Sequence, residues 1–306
     1  MVSVKMITYN HENFIAQAIE GILMQETNFF YNLIIADDCS PDNTEEIVKN
    51  IILTNPKGHL IKYFRQKKNI GIKLNGIFGL NQCNGKYIAL CEGDDYWTDP
   101  YKLQKQVDFL ESHSDVSVCF HDYMVFNENT LSPSKLDAQS NQPIDLQNFF
   151  FSSYNESKYW VTQPLTAVFR SSSLDMSIFE YYNKFKDYHL FYHLLQSGKG
   201  YYMSDIMGVY RQHQMGVFTS LSKLARMEED YKIKRDIYLV NNDKNYKGFY
   251  EGAAALYLLT LLKTKPLDSN KIYLLLNDCY RFSILSFGII IIKFIYYGII
   301  SLFKKL

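Results

Sequence analysis

Short apolar runs alternate with segments of helical periodicity over the first 126 residues of the chain. The apolar runs cover residues 2–10, 31–37, 59–66, 86–92 and 116–126. Runs of this length that contain β-branched and aromatic residues predict buried strands, and the segments between them predict helices because their apolar residues recur every three or four positions. Alternation with short connections predicts an α/β fold with a doubly wound, mostly parallel sheet.

The pattern is less regular after residue 127. A polar loop is followed by a predicted mixed strand over 159–170, a short helix over 186–200 and a strand over 201–213. From about residue 218 onward the apolar spacing is helical. We therefore predict an α/β domain over 1–217 and a C-terminal helical region over 218–306.

The last part of the helical region is strongly apolar. Residues 284–303 are about 20 mostly apolar positions, which is long enough to span a bilayer. Lys293 near the middle disfavours a spanning helix, and an in-plane amphipathic helix or a buried closing helix are the alternatives. We expect a cytoplasmic protein that contacts the membrane surface peripherally through this segment.

Charge and cysteine content exclude several classes. Lys and Arg number 32 and Asp and Glu also number 32, so the basic surface of a nucleic-acid-binding protein is not expected. The five cysteines include no C-x-x-C pair, which argues against a structural zinc site or a disulfide framework and favours a reducing compartment.

Polar residues follow three of the predicted strands at the point where each strand ends. They are Thr8, Tyr9 and Asn10 after the first, Asp37 and Asp38 after the second, and Asp94 and Asp95 after the fourth. Ligands of open α/β sheets bind beyond the carboxyl ends of the strands. A single Asp, or Asn10 as an N-cap, is explained by turns and helix starts, but two Asp pairs at one sheet edge predict a binding site.

Adjacent carboxylates repel each other unless a cation joins them. Mg²⁺ and Mn²⁺ prefer oxygen ligands and often take one or two protein carboxylates together with phosphates of the substrate. Thr8, Tyr9 and the pair Asp37–Asp38 offer hydrogen-bonding groups for a base and a ribose. The sequence therefore predicts a divalent metal and a nucleoside diphosphate that is linked to another group.

Four segments taken together resemble the inverting family 2 glycosyltransferases of the GT-A fold. They are "TYN", "IIADDCSPDNT", "NIG" at 69–71 and "NGKYIALCEGDDYWTDPYKLQKQ". The resemblance covers about residues 2–215 and implies a Rossmann-like sheet, a nucleotide-diphospho-sugar donor, usually of uridine, and Mn²⁺ or Mg²⁺. It implies that Asp95 coordinates the metal and that Asp94 contacts the ribose or the sugar, while Asp37, Asp38 and Thr8 hold the nucleotide.

The resemblance extends to the general base that an inverting transfer requires. "FKDYHLFYHLLQSGKGYYM" is similar to the family segment around that base and implies Asp187 in this role. The alternative is an Asp that interacts only with the dipole at a helix start. "VYRQHQMGVFT" resembles a later segment on the diphosphate side, in which His213 contacts the metal or the phosphates and Arg211 supports it.

Four further residues are weaker candidates. Arg65 and Asn69 follow the third strand and are expected to reach the nucleotide. Trp97 and Trp160 are candidates for stacking on sugar rings on the diphosphate or acceptor side, with packing in the core as the alternative.

Three functions were considered against these sequence features. We expect an inverting transferase that moves a sugar from a nucleotide-diphospho-sugar, usually a UDP-sugar, to a hydroxyl of a saccharide or lipid-linked saccharide in cell-surface polysaccharide synthesis. A sugar nucleotidyltransferase generally has a Gly-rich basic loop after the first strand, and "TYNHENF" contains no Gly. A non-catalytic binding module would be favoured by Asn or Ala at positions 95 or 187, where this chain has Asp.

Overall fold

A computed structural model of the chain describes most of its residues. The described residues are 1–127, 129–134, 142–144, 163–213, 216, 221–241, 244–282, 288–292 and 295. The chain divides into two compact units, Met1–Gln212 and His213–Leu306. Trp160 and most of 284–303 lie outside the described residues, so the predictions made for them stay predictions.

The first unit is built on one mixed sheet. Its strands are β1 (Val2–Thr8), β2 (Tyr31–Asp37), β3 (Ile61–Arg65), β4 (Tyr87–Leu90), β5 (Tyr96–Trp97), β6 (Val116–Asn127), β7 (Thr130–Pro133), β8 (Gln142–Ile144), β9 (Val168–Arg170) and β10 (Lys199–Gln212). The strand order is β3-β2-β1-β4-β9-β6-β10-β5, with β7 beside β6 and β8 beside β10. The pairs β1–β2, β1–β4, β2–β3 and β6–β10 are parallel, so the predicted mostly parallel α/β sheet is confirmed.

Helices connect the strands and cover the sheet. In the first unit they are α1 (Ile15–Leu23), α2 (Thr44–Thr54), α3 (Ile72–Asn81), α4 (Lys102–Ser112), α5 (Ile178–Tyr181) and α6 (Asp187–Ser197). α1 begins at Ile15, and Asn10 has a left-handed φ of 60°. The expectation that Asn10 caps α1 is therefore wrong, because four residues of turn separate it from the helix.

β9 departs from the simple alternating pattern inside the sheet. β9 lies between β4 and β6 and is antiparallel to both. The strand predicted over 159–170 is observed only as Val168–Arg170, and residues 159–162 lie outside the described part of the chain. The sequence pattern indicated a strand here but gave no sign of its direction, which is set by long-range pairing.

β1 is the central strand at the site edge and has two different faces. Val4 and Met6 on one face are fully buried in the apolar core. Lys5 and Ile7 point to the opposite face, because successive side chains of a strand alternate, and both are only partly buried. A lysine thus stands in the middle of an otherwise apolar strand that is paired on both sides.

The described part of the second unit is mainly helical. It contains α7 (Lys223–Asn241), α8 (Lys244–Lys263) and α9 (Ser269–Phe282). Its core contains Tyr231, Tyr250, Leu258 and Cys279, among others. Among the residues that the structure describes, no helix has both the length and the apolar character needed to cross a bilayer.

We predict that Gly21→Ala destabilises the α/β unit by about 1–3 kcal/mol. A Cβ at Gly21 on α1 would lie 2.7 Å from the backbone oxygen and 2.9 Å from the backbone nitrogen of Trp97, so the helix would have to move away from β5. Gly76→Ala on α3 is the matched control, since its added Cβ would meet only Lys5 Nζ at 3.8 Å. Urea unfolding of both variants measures the difference, and equal midpoints would contradict the prediction.

Candidate active site

Three carboxylates form a cluster where the chain leaves β4. One ligand oxygen from each of Glu92, Asp94 and Asp95 lies within 4.8 Å of the others. The chain continues along β1 after the strand ends, because Cys91 N donates to Lys5 O (3.2 Å) and Gly93 N donates to Ile7 O (3.0 Å). The cluster is therefore fixed at the carboxyl edge of the sheet by backbone hydrogen bonds.

Gly93 allows this turn to pack closely against the end of β1. A Cβ at this position would lie 2.7 Å from Thr8 Oγ1 and 2.8 Å from His11 Nδ1. The Thr8 hydroxyl and His11 Nδ1 are 3.2 Å apart, and His11 Nε2 is 3.8 Å from Asp94 Oδ2. Thr8 and His11 thus form one wall of the carboxylate cluster.

Arg211 on β10 holds the turn from the other side. Its backbone N–H donates to Asp95 Oδ1 (2.9 Å), and its Nη1 donates to the backbone oxygen of Asp94 (2.5 Å). The guanidinium stacks on the Tyr96 ring at 4.4 Å and also binds Gln17. In this structure Arg211 therefore positions the two aspartates by direct hydrogen bonds, and its predicted contact with the diphosphate stays a prediction.

The two aspartates differ in accessibility. Asp95 is 1% exposed, whereas the side chain of Asp94 is 19% exposed and Glu92 is partly buried. Asp95 thus has one oxygen engaged by Arg211 and lies at the base of the cluster. Asp94 and Glu92 form its accessible side.

Burial and mutual repulsion make the cluster unfavourable as three bare anions. Burial, followed by the charge of Asp94, raises the pKa of Glu92 to about 7. Burial and the same neighbour raise the pKa of Asp95 well above its usual value. A divalent cation would reverse both shifts, since a positive charge favours the ionised carboxylates. Three ionised carboxylates, which are hard oxygen donors, fit Mg²⁺ or Mn²⁺.

A second group of predicted residues lies at the ends of β1 and β2. Asp38 accepts hydrogen bonds from Ile70 N (2.7 Å) and Gly71 N (2.9 Å), and its own N–H donates to Thr8 O (3.0 Å). Asn69 Oδ1 accepts from the same Gly71 N–H (3.1 Å). These contacts join the loop before α3 to the ends of both strands, which brings Thr8, Asp38 and Asn69 together at one edge.

Asp37 and Arg65 are engaged by the protein itself. Asp37 accepts from Ser40 N (2.8 Å), Ser40 Oγ (2.6 Å) and Tyr63 OH (2.5 Å) and is fully buried. Arg65 pairs with Glu45 (3.0 Å) and donates to Ser40 O (3.0 Å). Both side chains stabilise the loop after β2, and their predicted contact with a nucleotide stays a prediction.

Residues 9 and 10 complete this edge. Tyr9 is 45% exposed, so its ring is available to a ligand. The backbone N–H of Asn10 donates to Ser40 Oγ (3.0 Å), which ties the loop after β1 to the loop after β2. Tyr9 is the more accessible of the two candidates.

Asp187 is the first residue of α6. Its Oδ1 accepts the N–H of Tyr188 (2.9 Å). Burial raises the pKa of Asp187, and the ammonium groups of Lys186 and Lys5 partly oppose that shift. Asp187 also adds to the raised pKa of Glu92, so its carboxylate lies within electrostatic range of the cluster.

Trp97 lies in the core. It is 1% exposed, its Nε1 donates to Leu165 O (2.8 Å), and Lys102 Nζ lies 3.8 Å from the ring centroid. Burial lowers the pKa of Lys102 to about 7. A ring enclosed in this way is not available to a sugar, so the interpretation of Trp97 as a stacking residue is wrong and core packing is correct.

His213 is partly buried and belongs to the second unit. Its backbone oxygen accepts a hydrogen bond from Gly216 N (3.0 Å). The role in metal or phosphate binding that the resemblance implies for His213 stays a prediction.

Sequence reasoning missed Glu92, His11 and Lys5. Glu92 precedes Asp94 by two residues, and this carboxylate-x-carboxylate spacing was the signal that could have identified it. Lys5 is a charged residue within a mainly apolar strand, and this indicated that a polar partner lies on one face of the sheet. His11 had no signal, because its approach to Asp94 depends on the turn at Gly93.

The chain has relatives of known sequence. It is 41% identical over 134 residues to Rv1520 of Mycobacterium tuberculosis, a match that covers 44% of this chain and 38% of the relative. It is 28% identical over 152 residues to the glycosyltransferase MJ1057 of Methanocaldococcus jannaschii, with 49% and 51% covered. The matched segment thus spans about half of the length of one relative and 38% of the length of the other.

Solved structures share the fold. S. aureus TarS 1–349 in complex with UDP-GlcNAc superimposes with a TM-score of 0.62 at 17% identity, over 91% of this chain and 79% of that one. The mannosyltransferase PcManGT from Pyrobaculum calidifontis, in complex with GDP-Man and Mn²⁺, gives a TM-score of 0.53 at 15% identity, over 95% and 85%. The fold is of the GT-A type.

The sequence model described as Glycosyl transferase family 2 matches residues 3–185, which is more than half of the chain. This range includes β1, the loops after β2 and β4, and the carboxylate cluster, and it ends two residues before Asp187. The chain belongs to glycosyl transferase family 2.

Proposed function

We propose that this protein is an inverting glycosyltransferase that moves a sugar from a nucleotide-diphospho-sugar to an acceptor hydroxyl. The observation that carries the proposal is the cluster of Glu92, Asp94 and Asp95 at the sheet edge, beside the loop that contains Asp38. Clustered carboxylates fit a metal-bound diphosphate, and the adjoining edge fits a nucleoside. Residues 1–217 contain all these groups.

Asp95, Asp94 and Glu92 would hold the divalent cation. Bound there, the cation neutralises charge on the departing diphosphate. Asp95 is fixed by Arg211 and serves as the buried ligand, while Asp94 and Glu92 offer the accessible oxygens. We propose Mn²⁺ or Mg²⁺, in agreement with the Mn²⁺ in the PcManGT complex.

Asp187 would act as the general base. Its carboxylate takes the proton of the acceptor hydroxyl while that oxygen forms a bond to the anomeric carbon. The bond from that carbon to the phosphate oxygen breaks on the opposite face, so the configuration inverts and the nucleoside diphosphate leaves. A positioned base contributes about 100–10,000-fold to such a step, and burial prepares Asp187 for it by raising its pKa.

The nucleoside would bind at the edge formed by Thr8, Tyr9, Asn10 and Asp38, with Asn69 beside it. TarS binds UDP and UDP-GlcNAc, and PcManGT binds GDP-Man. We propose a UDP-sugar, with a GDP-sugar as the alternative that the experiment below separates. Asp37 and Arg65 would contribute indirectly by keeping the loop after β2 in place.

We propose a saccharide or lipid-linked saccharide as acceptor, at a cytoplasmic membrane surface. The support lies in the second unit, where α9 exposes Tyr273, Leu274 and Tyr280 and is followed by the apolar residues 284–303. Exposed Tyr and Leu side chains suit the interface between water and lipid.

A thermal-shift panel tests the proposed function. UDP, UDP-GlcNAc, UDP-Glc, GDP and GDP-Man are each added with MnCl₂ or with EDTA. A ligand at 100 times its Kd stabilises the folded state by about 2.7 kcal/mol, so the correct donor raises Tm in Mn²⁺ and much less in EDTA. If no nucleotide produces a metal-dependent shift, the proposal is wrong.

A further inference from the structure

Lys5 lies on the same face of the sheet as part of the proposed active site. β1 and β4 pair with Lys5 opposite Leu90. Since side chains alternate along both strands, Lys5, Leu90 and Glu92 share one face. The lysine thus stands at the level where β4 ends and the carboxylate cluster begins.

Helix α3 has room for the lysine side chain. Gly76 and Gly79 are three residues apart and lie on one helix face. A Cβ at Gly79 would touch Lys5 Cγ at 3.4 Å, and one at Gly76 would be 3.8 Å from Lys5 Nζ. The stem of Lys5 therefore runs along a glycine face that directs the ammonium group rather than leaving it to rotate freely.

Two carboxylates of the proposed mechanism lie within electrostatic range of this ammonium group. Burial lowers the pKa of Lys5, while the charges of Glu92 and Asp187 raise it. Lys5 in turn opposes the upward shifts of the pKa of Glu92 and of Asp187. Lys186 opposes the same two shifts, so both lysines lie within electrostatic range of a proposed metal ligand and of the proposed base.

The expected order of groups along the reacting bond indicates what Lys5 would contact. If the diphosphate lies at Glu92 and Asp94 and the acceptor oxygen at Asp187, the transferred sugar lies between them. Lys5 and Lys186 are both cations near these two ends, and Lys5 is the one whose stem lies on the sheet beside the glycine face of α3. We propose that Lys5 is a specificity-determining residue whose ammonium group donates a hydrogen bond to a hydroxyl oxygen of the transferred sugar, an inference that rests on the proposed function.

A second lysine of the same unit shows what a purely structural lysine looks like. Lys102 is 0% exposed and its amine lies over the Trp97 ring. Lys5, in contrast, is only partly buried as a residue. The competing role for Lys5 is that of a counter-charge for Glu92 and Asp187 alone, without contact to the sugar.

The test compares Lys5→Met with the native protein for several ligands. Kd values in Mn²⁺ are measured by calorimetry for the free nucleoside diphosphate, for the donor selected by the thermal-shift panel, and for deoxy analogues of that donor that lack one sugar hydroxyl each. We expect Lys5→Met to leave the Kd of the free diphosphate within about twofold and to weaken the complete donor by about 10-fold or more, as for a hydrogen bond from a charged donor.

The deoxy analogues identify the sugar hydroxyl that Lys5 contacts. They also distinguish a hydrogen bond to the sugar from a role as counter-charge alone. In the native protein one deoxy position should weaken binding strongly, and in Lys5→Met the same deletion should have little further effect, as in a double-mutant cycle. If every deoxy penalty is unchanged in the variant, or if the free diphosphate weakens as much as the donor, the proposal is overturned and Lys5 is a counter-charge.

Two controls keep this outcome separate from other failures. Lys5→Leu, which also lacks a donor and a charge, gives the same readout should Lys5→Met fold poorly, as judged by circular dichroism. Absence of nucleotide binding by the native protein would refute the proposed function itself, whereas normal native binding with unchanged deoxy penalties in the variant refutes only the role of Lys5.

Discussion

Asp187→Asn should reduce glycosyl transfer by about 100–10,000-fold, the contribution that a positioned base makes to proton transfer. The amide of Asn has nearly the size of the carboxylate but cannot accept the acceptor proton. The affinity for the donor should stay within about twofold, because Asp187 is placed on the acceptor side. Steady-state transfer rates and calorimetric Kd values in Mn²⁺ measure the two effects separately.

The alternative role of Asp187, as a helix-start residue only, gives a different result. Asn serves nearly as well as Asp at helix starts, so a helix-start role would leave transfer close to the native rate. Asp175→Asn is the matched control, since Asp175 accepts the N–H of Ser177 (2.9 Å) just before α5 and is exposed. Native-like transfer by Asp187→Asn, or loss of donor binding, would contradict the role of base.

The pH dependence of transfer adds a second readout. A base must be ionised, and burial holds the pKa of Asp187 above the ordinary value of an Asp. Transfer should therefore rise with pH as Asp187 loses its proton and then level off. The residual activity of Asp187→Asn should not rise with pH in this way.

The strand ends were readable from the sequence because each marks a local change in pattern. Asp38 and Asp94 come shortly after the ends of apolar runs, so an α/β alternation was enough to bring them to one sheet edge. The helix that begins at Asp187 was likewise visible in its periodicity. These predictions needed only neighbours along the chain.

The contacts that define the site depend on distant parts of the chain. Arg211 binds the turn at Asp94 and Asp95 across more than 110 residues, and the antiparallel direction of β9 is set by its partners. The environment of Trp97 could not be predicted without the tertiary structure. A Trp shortly after "GDD" is equally compatible with an exposed ring that stacks on a sugar and with a buried ring that packs under Lys102. Side-chain types predicted the chemistry, and long-range packing decided which groups are accessible.

Glu92→Gln should change metal binding and stability in opposite directions. Removing one of three clustered carboxylates takes away a ligand and a negative charge, so Mn²⁺ affinity at pH 8 should fall at least about tenfold. Without metal the same variant should be more stable than the native protein at pH 8. The reason is that it removes an ionised carboxylate that burial and Asp94 make unfavourable.

The sign of the pH effect follows from the pKa of Glu92, which burial raises from the ordinary 4.5 to about 7 in the folded protein. A raised pKa means that the folded state binds the extra proton, so this contribution to stability is present at low pH and is lost as the pH rises through about 7. The metal-free native protein should lose stability between about pH 5 and pH 7, and Mn²⁺ should restore it at pH 8. In Glu92→Gln, the part of the pH dependence of stability that comes from Glu92 should be absent.

Thermal unfolding from pH 5 to pH 8, with Mn²⁺ or with EDTA, together with Mn²⁺ titration calorimetry, tests both statements. Glu111→Gln is the control, because Glu111 pairs with Lys86 on the surface at 2.6 Å and is remote from the carboxylate cluster in sequence. The control should leave Mn²⁺ affinity unchanged. If Glu92→Gln binds Mn²⁺ as tightly as the native protein, Glu92 is not a ligand, and Asp94 and Asp95 hold the metal without it.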